Sequence, residues 1–82
     1  MVEVIYDKRF QNIVSKIKDT EVQKSIKNKI TKIIEDPETG KPMRYGRKGT
    51  REVYVGSSRL AYAFYKDRNI VEFLDFYHKD EQ

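Results

Sequence analysis

The sequence predicts an α+β domain in the order β-α-α-β-β-β, with a helical hairpin laid on one face of a small, mainly antiparallel sheet. Three observations predict it. Apolar residues recur at helical spacing in two stretches between Phe10 and Ile34, and from Thr50 onward the apolar period falls to two. The chain is 82 residues long, which fits a single domain (residues 1–82) built around one core. Two apolar helical stripes are buried most simply when both pack on the same side of the sheet, and the other side is then left for function.

Each element has its own signal. Residues 2–6 alternate with β-branched and aromatic side chains and read as a strand. Asp7 offers an N-cap, and Phe10, Ile13, Val14 and Ile17 follow at i, i+3, i+4, i+7. Asp19-Thr20 breaks that pattern and supplies a second cap, after which Val22, Ile26, Ile30, Ile33 and Ile34 form another helical stripe. The second helix must stop near Asp36, because Pro37 lacks an N–H and disfavours helical geometry at the residue before it. Residues 37–49 read as one long irregular stretch. Arg51-Glu52-Val53-Tyr54-Val55 then alternates, Gly56-Ser57 reads as a tight turn, and Ser58–Lys66 and Asn69–Tyr77 read as two further strands joined around Asp67-Arg68.

Composition narrows the chemistry. There is no cysteine, which excludes disulfides, Cys-ligated zinc and thiol nucleophiles. No apolar run approaches the roughly 18 residues of a membrane span, and Met1–Tyr6 lacks the charged-then-apolar order of a signal peptide. The expected location is the cytoplasm, with no membrane partner. The net charge is +4, and its distribution matters more than its size. Lys16, Lys18, Lys24, Lys27, Lys29 and Lys32 sit at helical spacing and read as a solvated helix face. Lys41, Arg44, Arg47, Lys48 and Arg51 instead crowd a stretch with no acidic residue, a local field attractive to phosphate.

Strand register decides which side chains share the free face. A two-residue turn at Gly56-Ser57 pairs Val55 with Ser58, Tyr54 with Arg59 and Glu52 with Ala61. Those last four then point one way, while Val53, Val55, Leu60, Tyr62 and Phe64 point toward the helices. A two-residue turn at Asp67-Arg68 brings Phe76 opposite Arg59 and sets His78 on the same face; a three-residue turn reverses that. The expected constellation is Glu52, Tyr54, Arg59 and His78, rimmed by Lys79 and the basic loop. On these residues alone, an Arg59–Glu52 surface ion pair and a catalytic arginine are equally compatible. Tyr54, Tyr65 and Tyr77 suit sheet packing as well as base stacking.

The segment Tyr54-Val55-Gly56-Ser57-Ser58-Arg59-Leu60-Ala61-Tyr62, with a terminal strand ending Phe76-Tyr77-His78-Lys79, resembles the RelE-like toxins of the RelE/ParE superfamily. The resemblance implies a RelE-like fold and a type II toxin that cuts mRNA in the ribosomal A site, held inactive by a small acidic RelB-like antitoxin. Such an endoribonuclease uses the RNA 2′-OH as its nucleophile and needs no metal or cofactor. It must supply a base for the 2′-OH, positive charge for the phosphorane, and an acid for the leaving 5′ oxygen. Arg59 matches the family's strand arginine, whose planar, always charged guanidinium suits the phosphorane. His78 matches a histidine read as general acid in one branch of the family, and an imidazole exchanges protons near neutral pH. Lys79 matches a basic position.

The chain departs from the family where many members carry lysines, on the strand that here presents Glu52 and Tyr54. Glu52 is taken as the general base by its place on the face. Arg44, Arg47, Lys48 and Arg51, with Tyr65 and Tyr77, are the expected contacts to mRNA and ribosomal RNA. Two other readings stay open: a ParE-like toxin acting on DNA gyrase, and a non-catalytic RNA-binding module.

Overall fold

Asp7 and Asp19 begin the two helices as expected. Both hold extended backbone, with ψ of 143° and 116°, and turn their carboxylates onto the first free amides. Asp7 accepts from the Arg9 N–H at 2.9 Å, and Asp19 accepts from the Glu21 N–H at 2.9 Å. The computed structural model describes residues 1–43 and 49–78. Within them β1 spans Glu3–Tyr6, α1 Lys8–Ser15, α2 Thr20–Glu35, β2 Lys41–Pro42, β3 Thr50–Val55, β4 Ser58–Tyr65 and β5 Ile70–His78. The α+β class and the strand–helix–helix–meander order are borne out. The added element is β2, a two-residue edge strand in the stretch expected to be irregular. Pro42 is tolerated there because an edge strand need not donate on both sides.

The sheet runs β1-β5-β4-β3-β2, with β1 parallel to β5 and the other neighbours antiparallel. Phe10, Ile26 and Ile33 from the helices meet Val55, Leu60, Tyr62, Val71, Phe73 and Phe76 in one buried cluster on the helix side. Tyr62 and Phe73 carry its aromatic centre, with ring centroids 6.3 Å apart, and Phe10 lies 5.7 Å from Phe73. Among the described residues no helix is long and apolar enough to cross a membrane.

The β3–β4 register is the expected one: Val55 faces Ser58, Tyr54 faces Arg59 and Glu52 faces Ala61. Gly56 takes φ 61° as the first residue of the two-residue hairpin, the conformation that a type II′ turn demands of that position. The β4–β5 ladder also starts as expected, with Tyr65 facing Ile70, but it does not stay in step. Tyr62 faces Phe73 while Ala61 faces Asp75, so Leu74 is an extra residue in β5 and forms a β-bulge. Beyond it Leu60 faces Phe76, Arg59 faces Tyr77 and Ser58 faces His78.

This overturns the expected placement of Phe76 opposite Arg59 with His78 beside it. The physical reason is the Phe76 ring, which is 9% exposed and packed in the core. Left on the solvent side it would forgo about 1.5–3 kcal/mol of burial. The bulge returns it to the helix side and moves Tyr77 to the face of Arg59.

Candidate functional site

The site lies on the sheet face away from the helices, where β3, β4 and β5 each contribute one polar side chain. Arg59, the second residue of β4, donates from Nη1 to Glu52 Oε1 at 3.0 Å. The Tyr77 hydroxyl, carried over from β5 by the bulge, donates to Glu52 Oε2 at 2.9 Å. One carboxylate therefore holds a guanidinium on one oxygen and a phenol on the other. The Arg59 and Glu52 side chains are 24% and 15% exposed, so the pair is largely desolvated yet reachable by a ligand. Arg59 also lies over the Tyr54 ring, its guanidinium carbon 4.7 Å from the centroid.

Lys41 joins this cluster without having been expected there. It stands directly across from Glu52 in the β2–β3 ladder, and its Nζ lies 5.5 Å from the Tyr54 centroid. Tyr54 thus has one cation approaching from β4 and another from β2. The signal available in the sequence was only the short run Gly40-Lys41-Pro42. A two-residue strand is too brief to show a period.

What aims Lys41 is a set of contacts on the helix side. The Tyr62 hydroxyl donates to the Pro37 carbonyl at 2.8 Å and accepts from the Gly40 N–H at 2.9 Å. Arg51 faces Tyr62 across the ladder and donates from Nη1 to the carbonyls of Gly40 at 2.7 Å and Glu38 at 3.1 Å. Arg51, expected to contact RNA, is therefore on the opposite face from Arg59 and holds the segment that leads into β2. Burial raises the Tyr62 phenol above its ordinary value of 10.0, outweighing the Gly40 amide and the Arg51 charge, which pull it down.

The remaining expected residues separate into three groups. His78 stands across from Ser58, off the Arg59 face, in a cleft it shares with Ile13 of α1 and with Ile17 just beyond that helix. Tyr65 is six residues along β4 from Arg59, roughly 20 Å at strand spacing, and its hydroxyl donates to Glu72 at 3.1 Å. Arg44, Arg47, Lys48 and Lys79 lie outside the described residues. Tyr77, expected only as an RNA contact, is the residue that completes the cluster. The spacing Val71, Phe73, Phe76 announces this, since the apolar step changes from two to three across Leu74-Asp75.

Chemically, the cluster offers a cation for an anionic oxygen, a carboxylate within reach of it, and a hydroxyl hydrogen-bonded to that carboxylate. No group of three or more His, Asp or Glu side chains suited to a metal ion occurs among the described residues.

Residues 4–82 match the family described as "ParE toxin of type II toxin-antitoxin system, parDE". No curated protein matches the sequence. Among solved structures, the chain is similar to one from the intact Escherichia coli RelBE toxin–antitoxin complex, with a TM-score of 0.80 at 20% identity, covering 95% of this chain and 96% of that one. Isolated E. coli RelE gives 0.79 at 20% identity, covering 95% and 84%. The RelBE2 complex of Mycobacterium tuberculosis gives 0.77 at 20% identity, covering 95% and 98%. At these identities the likeness establishes the fold.

Proposed function

The chain belongs to the ParE toxin family of type II toxin–antitoxin systems, within the RelE/ParE superfamily, and from that premise we propose that it is a metal-independent endoribonuclease that cuts mRNA in the ribosomal A site and so stops translation. The observation that carries this reading is the Glu52 carboxylate gripped by Arg59 and Tyr77 on an exposed sheet face. In the reaction the RNA 2′ oxygen attacks the adjacent phosphorus and the bond to the 5′ oxygen breaks. The products are a 2′,3′-cyclic phosphate and a free 5′-OH. One proton must leave the 2′ oxygen and one must reach the 5′ oxygen.

The cluster can carry both transfers. A scissile phosphate that takes the Arg59 guanidinium as its partner competes it away from Glu52 Oε1, and that oxygen becomes free to accept the 2′-OH proton. Arg59 meanwhile stabilises the charge that builds on the phosphorane. Tyr77 gives its proton to the leaving oxygen, and it regains one from Glu52 after the carboxyl group rotates to turn its protonated oxygen from the Arg59 side toward the Tyr77 oxygen. The enzyme is unchanged, and no external proton donor is needed. His78, the acid that the family resemblance implies, has no part in this scheme because it lies across from Ser58. Lys41 adds charge beside the same phosphate.

The partners follow from the same premise. A RelB-like antitoxin is proposed by analogy with the RelBE complexes whose fold this chain shares, and the chain's net charge of +4 suits a small acidic protein that folds as it wraps the toxin. The ribosome, through mRNA and ribosomal RNA, is the second partner, and the cytoplasm is where they would meet.

Primer extension on a translated mRNA tests the reading. The wild-type protein should produce cuts that depend on ribosomes, and Arg59→Ala should slow them by about 10²–10³-fold while ribosome association persists. A second reading, inhibition of DNA gyrase, is favoured by the family description, which names ParE. It is separated by a supercoiling assay: the nuclease reading fails if plasmid supercoiling is blocked and mRNA is left intact.

A further inference from the structure

The proton-relay scheme leaves Tyr54 without a task, although both cations of the scheme lie against its ring. Tyr54 is 49% exposed and stands two residues along β3 from Glu52, on the same face. β2 and β4 flank β3 on opposite sides, so Lys41 and Arg59 reach the ring from two directions, at 5.5 Å and 4.7 Å from its centroid. Arg59 is thus held twice, by its donation to Glu52 and by the ring. Beside them Tyr54, Gly56, Ser57, Ser58 and Arg59 line an open depression of about 400 Å³, which gives an RNA phosphate access to the guanidinium.

Resting on the nuclease reading, we propose that Tyr54 is a positioning residue, whose ring keeps Arg59 aimed at the scissile phosphate while the guanidinium changes partner from Glu52 to that phosphate. The exchange is the step at which alignment is most easily lost. Once Arg59 releases Glu52 Oε1, the ion pair that orients it is gone, and a long side chain regains its rotamers. Stabilisation of the phosphorane depends on a charge already in place. A second carboxylate could hold Arg59, but it would compete with the phosphate for the same N–H donors. An aromatic ring does not compete. Its electron-rich face attracts the cation without offering a carboxylate-like acceptor, and the planar fork stays available to phosphate oxygens. The attraction also survives the exchange, because it does not depend on which anion Arg59 is paired with. Lys41 sets this role apart from base stacking. With cations arriving from both flanking strands, the ring is already engaged in the free protein, and a base would have to displace one of them.

A chain of 82 residues is within reach of chemical synthesis, so position 54 can carry phenylalanine with successive ring fluorines, which drain the π face at nearly constant size. Single-turnover cleavage of mRNA in the ribosomal A site and affinity for the ribosome are measured for this series, for Tyr54→Phe and for Tyr54→Leu. Tyr54→Phe keeps the ring and should cut within about threefold of wild type. Each fluorine should lower the rate further, toward the loss of about tenfold expected of Tyr54→Leu. Ribosome affinity should stay within about twofold throughout, since the ring acts on the reacting step. In an Arg59→Ala background, Tyr54→Leu should cost less than about twofold, because Tyr54 acts through Arg59. A rate indifferent to fluorination, a loss that persists in the Arg59→Ala background, or a loss that falls on affinity in place of rate overturns the positioning role alone. No cutting by the wild type overturns the nuclease reading, and the role with it.

Discussion

Glu52 is the residue on which the proposed chemistry turns, because each of its oxygens faces a different partner. If Glu52 and Tyr77 pass one proton between them, they act as a unit, and removing either should cost nearly as much as removing both. Glu52→Gln and Tyr77→Phe are each expected to slow cleavage by about 10²–10⁴-fold, and the double variant by little more than the worse single one. Single-turnover cleavage rates check this, and multiplying effects in the double variant would mean two independent groups. Lys41 should act differently, as charge for binding rather than as a reacting group. Lys41→Met is expected to lower the slope of log affinity against log salt by about 0.7 for a single-stranded, 2′-O-methylated RNA. Lys41→Arg should restore it, whereas a slope that Lys41→Met leaves unchanged would reduce Lys41 to a brace on Tyr54. The Arg59–Glu52–Tyr54 half of this site was legible in the sequence, since a two-residue hairpin at Gly56-Ser57 fixes the register. The Tyr77 and Lys41 half was not, because each depends on a feature one or two residues long.

At the scale of elements, the same distinction explains what could be read. The helices were legible because a cap and a stripe of four or five apolar residues reinforce one another, and Asp7 and Asp19 cap as expected. β5 was misread in its second half because a strand pattern was extended through Leu74 at constant period, when burial of Phe76 required a change of phase. β2 was missed for a third reason. It exists through long-range contacts, the Tyr62 hydroxyl and the Arg51 guanidinium holding residues 37–40, and such contacts leave no local period. Gly40 is the tight point of that arrangement: a Cβ there would stand 2.6 Å from the Tyr62 hydroxyl and 3.0 Å from the Glu52 carbonyl oxygen. Gly40→Ala is therefore expected to destabilise the fold by about 1–3 kcal/mol, read from urea unfolding. It should also blunt the Lys41 salt dependence by displacing β2. Wild-type stability in Gly40→Ala would show that the segment yields without cost.

For the molecule as a whole, the absence of disulfides and the small core leave stability dependent on a few buried polar anchors, of which Tyr62 is the most central. Its phenol is buried and raised above 10.0, so the folded chain holds that proton after the unfolded chain has released it. The sign follows directly. The contribution is complete below about pH 10, the unfolded value, and is lost progressively as pH rises from there through the raised folded value. Tyr62→Phe removes both the proton and the acceptor of the Gly40 N–H. At neutral pH it should be less stable than wild type by about 1–3 kcal/mol, the cost of leaving that buried donor unpaired. Above about pH 10 the two stabilities should converge, because only the wild type has a Tyr62 proton to lose. Urea unfolding at neutral and alkaline pH measures both differences. Parallel decline of the two proteins would place the alkaline sensitivity on other groups, while convergence ties the stability of the whole fold to the hydroxyl that also holds Lys41 at the site.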